Sequence, residues 1–359
     1  MVPDETGTAA AAALAQLPKV ELHCHVEGTM RPETVVELAG RNQLALPTAD
    51  PTELYTYVSL DDFLRVFWLV QSTLGGRADW ARLAYESVVD AAAAGVVYRE
   101  TFFTPARHLA GGQDLADVVA GLAEGLAAGE DETGVQVMLI CDMDRAYGPA
   151  AGRELVERLV ELRRAGTAGT ERVLGIGMDS TELGVDPVGF ADAYRLAARA
   201  GLRRTAHQGE TTPPATIASC LDVLGVERID HGLSLLEDPE LTRRLADRRI
   251  ALTVCPTSNI RIANAVERLE DHPYADMRAA GLLATLNTDD PALIDLDLAT
   301  EYAAVQTAYG YSWEEMVSIA VDGVDATWLD DDDRSRLRHR VEAAAAQLRP
   351  INRTGRGSG

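Results

Sequence analysis

Cysteine is scarce in this sequence, and its few residues are widely separated. Cys24, Cys141, Cys220 and Cys255 form no Cys-x-x-Cys pair. We therefore expect the reduced, buried thiols of a cytoplasmic protein and not a disulfide framework. No run approaches the roughly 20 apolar residues that span a bilayer. The first residues also lack the basic segment and long apolar run of a signal peptide.

Positive charge is also in short supply. The 359 residues include 33 Lys and Arg against 56 Asp and Glu, which gives a net charge of −23. This balance argues against a nucleic acid or an anionic membrane as a partner. A glycine-rich phosphate loop of the Walker or Rossmann type is absent as well. Enzymes that bind nucleotide phosphates through such loops are therefore excluded.

Hydrophobic residues make up 47 % of the chain, enough for a large core, and no linker divides it. Short β-branched runs alternate with Ala/Leu-rich segments of helical period. The predicted strands cover residues 19–25, 96–103, 135–141, 172–178, 202–208, 228–232, 249–255 and 282–288. Eight strands alternating with helices predict a (β/α)8 barrel of the α/β class.

The barrel is predicted as a single domain over residues 18–348. We expect a flexible segment before it, residues 1–17, and a disordered polar tail after it, residues 349–359. Segment 33–94 is longer than a simple crossover and predicts extra helices after the first strand. Segment 297–347 predicts further helices after the eighth strand.

Two histidines, His23 and His25, are separated by a single residue in the first predicted strand. Residues two apart in a strand point to the same face, so both imidazoles project together toward the barrel interior or its rim. A single histidine would suit a hydrogen-bonded core position. Two on one face favour a metal site without settling it.

Other strands end in residues that can bind a metal or transfer a proton. These are His207 and Glu210 after the fifth strand, His231 after the sixth, and Asp289 and Asp290 after the eighth. Each alone is also explained as a cap, a turn or a solvated charge. Active sites of such barrels lie at the C-terminal ends of the strands, so their joint occurrence there predicts one site. Three histidines and a carboxylate suit Zn²⁺, which lowers the pKa of a bound water to about 7 and so favours hydrolysis.

Several motifs resemble those of the adenosine deaminase family of metal-dependent hydrolases. The matching stretches are PKVELHCHVEGTMRPETV, AHQGE, RIDHG, TVCPTSN and LNTDDP, in family order from about residue 18 to about residue 330. The resemblance implies that one Zn²⁺ is bound by His23, His25, His207 and Asp289.

The resemblance also implies a reaction and a role for each of three residues. Glu210 would protonate N1 of a purine, and Asp290 would form a hydrogen bond with N7. His231 would orient the attacking water and help to deprotonate it. Water would then add at C6, and ammonia would leave.

Substrate contacts are implied at Glu27 and in the loop 175–184, at Asp179, Glu182 and Gly184. Glu27 stands where typical adenosine deaminases carry Asp. The loop and the HVEG motif are closer to the adenine deaminase branch. CPTSNI and FFTP are similar to deaminases of larger nucleosides.

Three functions remain open on this basis. The simplest is deamination of adenosine to inosine. The second is the same chemistry on adenine or on a 5′-modified adenosine such as 6-aminodeoxyfutalosine, and the third is an inactive, ligand-binding member. The complete ligand set counts against the third. Amide or phosphoester cleavage is weaker still, since no lysine suits a bridging position. The sequence leaves the oligomeric state open.

The remaining candidates are assigned supporting positions. The partly aromatic segment 57–71 is predicted as a helix that packs normally or covers the site. Asn259, with its neighbour Ser258, is expected to shape the loop below the metal. His108 is expected to be peripheral, and His272 is expected on the surface.

Overall fold

The computed structural model describes residues 5–57 and 60–350. Its strands are β1 (Lys19–Glu21), β2 (Val96–Phe103), β3 (Gln136–Asp144), β4 (Val173–Asp179), β5 (Arg203–Arg204), β6 (His207–Gln208), β7 (Arg228–His231), β8 (Ala251–Val254) and β9 (Leu283–Leu286). The helices up to β4 are α1 (Glu5–Gln16), α2 (Pro32–Arg41), α3 (Pro51–Leu54), α4 (Leu60–Ser72), α5 (Arg77–Ala93), α6 (Ala106–Ala110), α7 (Leu115–Thr133) and α8 (Gly148–Arg164). The later helices are α9 (Ala191–Arg199), α10 (Pro214–Ser219), α11 (Pro239–Arg248), α12 (Pro256–Arg261), α13 (Tyr274–Ala279), α14 (Leu298–Tyr309), α15 (Trp313–Asp325) and α16 (Asp331–Leu348).

The strands pair in parallel in two ladders, β1-β2-β3-β4-β5 and β6-β7-β8-β9. Backbone bonds from segment 203–208 join the two ladders. The Thr205 N–H donates to the carbonyl of Ile176 at 3.0 Å, and the Asp230 N–H donates to the carbonyl of Ala206 at 2.9 Å. β5 and β6 are therefore two halves of one barrel strand.

The chain segments that follow β1 and β9 close the ring. Cys24 forms a parallel bridge with Asp289. The His25 N–H donates to the carbonyl of Asp289 at 2.8 Å, and the Asp289 N–H donates to that of His23 at 3.1 Å. The predicted (β/α)8 barrel is confirmed, with α2–α5 after the first strand and α14–α16 after the last.

A buried ion pair ties the C-terminal helices to the barrel. Glu100 in β2 and Arg228 at the start of β7 lie 2.6 Å apart, and both are fully buried. The guanidinium lies 4.1 Å from the ring centroid of Trp328, and the backbone N–H of Trp328 donates to Glu100 at 2.7 Å. The segment after α15 therefore contacts the end of the barrel at which β7 begins.

The first residues differ from the expectation of a flexible segment, because 5–16 form α1. Leu14 and Leu17 are fully buried, and α1 lies against α14. The Lys19 ammonium donates to the carbonyls of Ala15 at 3.2 Å and Leu17 at 2.9 Å. Apolar packing and capping of the carbonyls hold this helix. Of the expected disordered tail, 351–359 lies outside the described residues.

Part of segment 57–71 lies beside the turn that carries Glu27. α4 contacts the residues of this turn, and the Tyr57 hydroxyl donates to the carbonyl of Leu293 at 3.0 Å. Phe63 is buried and packs edge-on against Tyr57. Residues 58–59 of this segment lie outside the described residues. No helix in the described part of the chain has both the length and the apolar character needed to cross a membrane.

Candidate active site

The four predicted metal ligands meet where the barrel strands end. Nε2 of His23 lies 3.2 Å and Nε2 of His25 lies 3.4 Å from Oδ1 of Asp289. Nε2 of His25 is 3.1 Å from Nε2 of His207. Among the described residues, ligand atoms of His23, His207, His231 and Asp289 lie within 4.8 Å of one another, and all four side chains are buried.

Burial and mutual contact set the charge of this cluster. Desolvation lowers the pKa of His25 to about 3 and the pKa of His207 well below its ordinary value. Burial alone would raise the pKa of Asp289, but the neighbouring histidines hold it well below its usual range. Burial opposes a charged ring at His23, but Asp289 raises its pKa, so the shifts favour the neutral ring at His25 and His207 alone. Neutral imidazoles and an ionised carboxylate are the forms that bind metal ions.

The cluster fits a metal ion on the chemistry of its donors. Nδ1 of His23 lies 3.1 Å from the carbonyl of Thr253, to which it can donate, so Nε2 presents a lone pair. That Nε2 is buried and makes no hydrogen bond of good geometry, although Oδ1 of Asp289 lies 3.2 Å away. The close Nε2 atoms of His25 and His207 are likewise explained by a cation that both face. Three imidazoles with one carboxylate suit Zn²⁺ and leave a position for water.

Side chains around the cluster orient its ligands. Asp230 accepts a hydrogen bond from the Thr253 hydroxyl at 2.7 Å, and its Oδ2 lies 3.7 Å from Nδ1 of His207. The Ser258 hydroxyl donates to Oδ2 of Asp289 at 2.6 Å. Outer contacts of this kind fix the orientation of metal ligands and tune their basicity. The sequence analysis did not identify Asp230, although its place in the RIDHG motif was an available signal.

Asp142 is a second buried carboxyl that the sequence analysis missed. Both of its oxygens lack a hydrogen-bond partner, and one lies 3.9 Å from Nδ1 of His207. Burial, with the nearby charge of Asp179, raises the pKa of Asp142 well above its ordinary value.

Glu210 lies beside the cluster on the loop after β6. Its carboxyl is 3.7 Å from Nδ1 of His231, and its side chain is 23 % exposed toward a cavity of about 420 Å³. Burial raises the pKa of this carboxyl. It accepts a hydrogen bond from Asn259 at 2.6 Å. The backbone N–H groups of Gly209 and Glu210 both donate to Glu182 at 3.0 Å, so Glu182 fixes the loop that carries Glu210.

Glu182 and Gly184, both predicted to contact substrate, have different surroundings. The Glu182 carboxylate also accepts from Gln208 at 3.2 Å and from the hydroxyl of Thr212. Gly184 lies in an exposed turn with a φ of +77°. The structure places Glu182 as a support for the Glu210 loop, and it does not bring Gly184 to the cluster.

The other three predicted substrate contacts, Glu27, Asp179 and Asp290, are buried carboxyls. The Thr104 N–H donates to Glu27 at 2.9 Å, and the Thr104 hydroxyl donates to Asp179. Each of the three carboxyls has one buried oxygen without a partner. Burial raises the pKa of Glu27 to about 7 and the pKa values of Asp179 and Asp290 well above the ordinary value. Unpartnered buried oxygens of this kind are groups that a polar ligand can satisfy.

The expectation that His272 lies on the surface was wrong. His272 is 3 % exposed, and its Nε2 lies 3.2 Å from Oδ1 of Asn259. The Tyr309 hydroxyl donates to the carbonyl of His272 at 3.1 Å and holds the segment inward. The charged residues that surround His272 in the sequence suggested that it is exposed. Tyr309, which holds its segment inward, lies at the end of α14, far from His272 in the sequence.

Comparison with known proteins agrees with this geometry. The model of the adenosine deaminase family matches residues 18–344. A relative from Streptomyces coelicolor named adenine deaminase is 41 % identical over 336 residues, covering 93 % of this chain and 96 % of the relative.

Solved structures match over nearly the whole fold. An adenine deaminase from Arthrobacter aurescens is 35 % identical with a TM-score of 0.85, covering 91 % of this chain and 98 % of that one. An amidohydrolase from Burkholderia ambifaria with bound Zn is 30 % identical with a TM-score of 0.87, covering 97 % of this chain and 95 % of that one. From the match of family model, fold and ligand set, the chain belongs to the adenosine deaminase family.

Proposed function

We propose that this chain hydrolyses the C6 amino group of free adenine, giving hypoxanthine and ammonia, with one Zn²⁺ held by His23, His25, His207 and Asp289. The observation that supports it most directly is the position of Glu210. A carboxyl with a raised pKa lies next to a cluster of three histidines and one carboxylate. This pairing of a proton donor with a metal site suits hydrolysis of an aromatic amidine.

The side chains divide the chemistry among them. Bound zinc would supply a hydroxide nucleophile at neutral pH. Glu210 gives its proton to N1, which draws electrons from C6 and opens that carbon to attack. His231, which lies beside Glu210 and the cluster, orients the attacking water. Asp290, in its protonated form, donates to N7. The C6–N6 bond then breaks as the amino group takes up the proton released by the added hydroxyl, so ammonia leaves and C6 keeps the oxygen as a carbonyl.

The buried carboxyls around Glu27 favour the free base over the nucleoside. Free adenine carries a ring N–H that a nucleoside replaces with a sugar. The unpartnered Oε2 of Glu27 is a buried acceptor for such a donor. The relatives named adenine deaminase support the same choice. Adenosine, the simplest substrate on the sequence alone, stays the second candidate because the family model is that of adenosine deaminase.

A substrate panel tests this proposal. Purified, zinc-loaded protein is assayed on adenine, adenosine, 2′-deoxyadenosine, 5′-methylthioadenosine and 6-aminodeoxyfutalosine by ultraviolet absorbance and ammonia release. We expect a clear preference for adenine. A preference for any nucleoside would contradict the free-base assignment and would make the segments 57–71 and 175–184 the specificity elements to examine.

The variant Glu210→Gln tests the proton donor separately. It keeps the shape of the side chain and removes the acid, so we expect zinc content to stay unchanged and kcat to fall roughly 10²- to 10⁴-fold. Near-normal turnover would remove Glu210 from this role. Zinc content measured by metal analysis distinguishes loss of the acid from loss of the metal.

A further inference from the structure

We propose that His272 is a positioning residue for the deamination, acting through Asn259 on Glu210 and His231. This inference rests on the proposed function and extends it to a residue on no barrel strand. His272 lies in the segment before α13, and it contacts the site through the Asn259 amide.

The hydrogen bonds to His272 have only one consistent direction. The backbone N–H of Tyr274 lies 3.1 Å from Nδ1 of His272, and an N–H can only donate, so Nδ1 accepts. Burial lowers the pKa of His272 to about 4, so the ring is neutral near pH 7. The remaining nitrogen, Nε2, therefore carries the hydrogen and donates to Oδ1 of Asn259 at 3.2 Å.

This donor determines which way the Asn259 amide faces. With Oδ1 engaged by His272, the amide nitrogen faces Oε1 of Glu210 at 2.6 Å and Nδ1 of His231 at 3.1 Å. The flipped amide would leave the His272 Nε2–H facing a second donor, the amide nitrogen. His272 therefore selects the orientation in which Asn259 donates to both site residues.

The same orientation sets the tautomer of His231. The amide nitrogen of Asn259 can only donate, so Nδ1 of His231 accepts, and Nε2 carries the hydrogen in the neutral ring. A ring in this tautomer orients water as a hydrogen-bond donor. The role that the sequence analysis gave His231, deprotonation of water, is less compatible with this arrangement.

The surroundings hold His272 in place. The Tyr309 hydroxyl donates to the carbonyls of Leu269 at 2.7 Å and His272 at 3.1 Å. Pro273, the next residue, lines the cavity that Glu210 faces. Tyr309 therefore holds the backbone that carries the His272 ring.

Two substitutions separate positioning from packing. His272→Leu removes the donor to Asn259, and His272→Gln keeps an amide N–H in its place. For His272→Leu we expect kcat on adenine to fall roughly 10- to 100-fold, as for other outer contacts to a site, with KM within about 3-fold of wild type. His272→Gln should recover a large part of that loss. Zinc content should stay at the wild-type level in both.

His108→Leu is the matched control. His108 is buried like His272, and burial lowers its pKa to about 4 in the same way, but it packs edge-on against Trp80. We expect this variant to keep its kcat. In an Asn259→Ala background, His272→Leu should add little, because the coupling passes through the amide.

The outcomes distinguish this inference from the proposed function. Wild-type protein that deaminates none of the purines overturns both. Active wild type with equal kcat in His272→Leu and His108→Leu overturns the positioning role alone. Fully additive effects of the Asn259 and His272 substitutions would also overturn it, because the two residues would then act independently.

Discussion

Three residues near the site have backbone angles that their side chains disfavour. Ser180, His231 and Asp289 have φ values of +72°, +67° and +70°. Left-handed backbone costs energy for residues other than glycine, and such strain gathers at functional sites because surrounding contacts maintain it. Ser180 directly follows β4, His231 ends β7, and Asp289 lies in the segment after β9. Two of these left-handed positions, His231 and Asp289, carry side chains of the cluster itself.

At the same scale, Gly28 permits the close approach of Asp290. A Cβ added at Gly28 would lie 2.0 Å from Oδ1 and 2.7 Å from Cα of Asp290. We expect Gly28→Ala to displace Asp290 and to lower kcat/KM on adenine by about 10²-fold, because small shifts of positioning groups are costly. Steady-state kinetics with metal analysis measure this. Gly40→Ala is the control, since a Cβ there has open space. Equal activity in both variants would exclude Asp290 from substrate contact.

At the scale of elements, the loops after β4 and β6 act as one unit. Glu182, which follows β4, accepts from the backbone N–H groups of Gly209 and Glu210, which follow β6. The position of Glu210, the proposed proton donor, therefore depends on a neighbouring loop as well as on its own strand.

Replacement of Glu182 tests this dependence. Glu182→Ala leaves two buried backbone N–H groups unpaired, so we expect the free energy of unfolding to fall by about 1–3 kcal/mol per group. We also expect kcat to fall more than KM changes, since the Glu210 loop loses its support. Denaturant unfolding and kinetics measure the two effects. The variant Glu171→Gln, on the surface-facing turn before β4, is the comparison. If Glu182→Ala kept the wild-type stability and kcat, the loop that carries Glu210 would not depend on Glu182.

The elements also show what the sequence could predict and what it could not. Strand periodicity was enough to predict the barrel. The cluster could be predicted from side chains at strand ends, namely His23, His25, His207 and Asp289. Local pattern could not show that Glu182 turns back onto the next loop. It also could not show that His272 reaches Asn259, because Tyr309, the residue that holds it inward, lies 37 positions away. Contacts between loops depend on tertiary packing that no single segment encodes.

At the scale of the whole molecule, the cluster of predicted metal ligands joins the first and last strands of the barrel. His23 and His25 follow the first barrel strand, whereas Asp289 follows the last, and the closing bridge pairs Cys24 with Asp289. A metal bound by these residues would therefore hold the ring closed at its seam. Because the ligands come together only in the folded chain, the free energy of metal binding adds to the stability of the fold.

Removal of zinc should accordingly destabilise the whole barrel. At a free zinc concentration 1,000 times Kd, bound metal adds about 4 kcal/mol, which corresponds to a rise in Tm of several degrees for a chain of this size. We expect a chelator to lower the Tm of wild-type protein and zinc to restore it, as followed by calorimetry. In Asp289→Ala, chelator should change the Tm little, because the seam ligand is already lost. A wild-type Tm that does not change after proven removal of the metal would show that the backbone pairing of Cys24 with Asp289 closes the ring unaided.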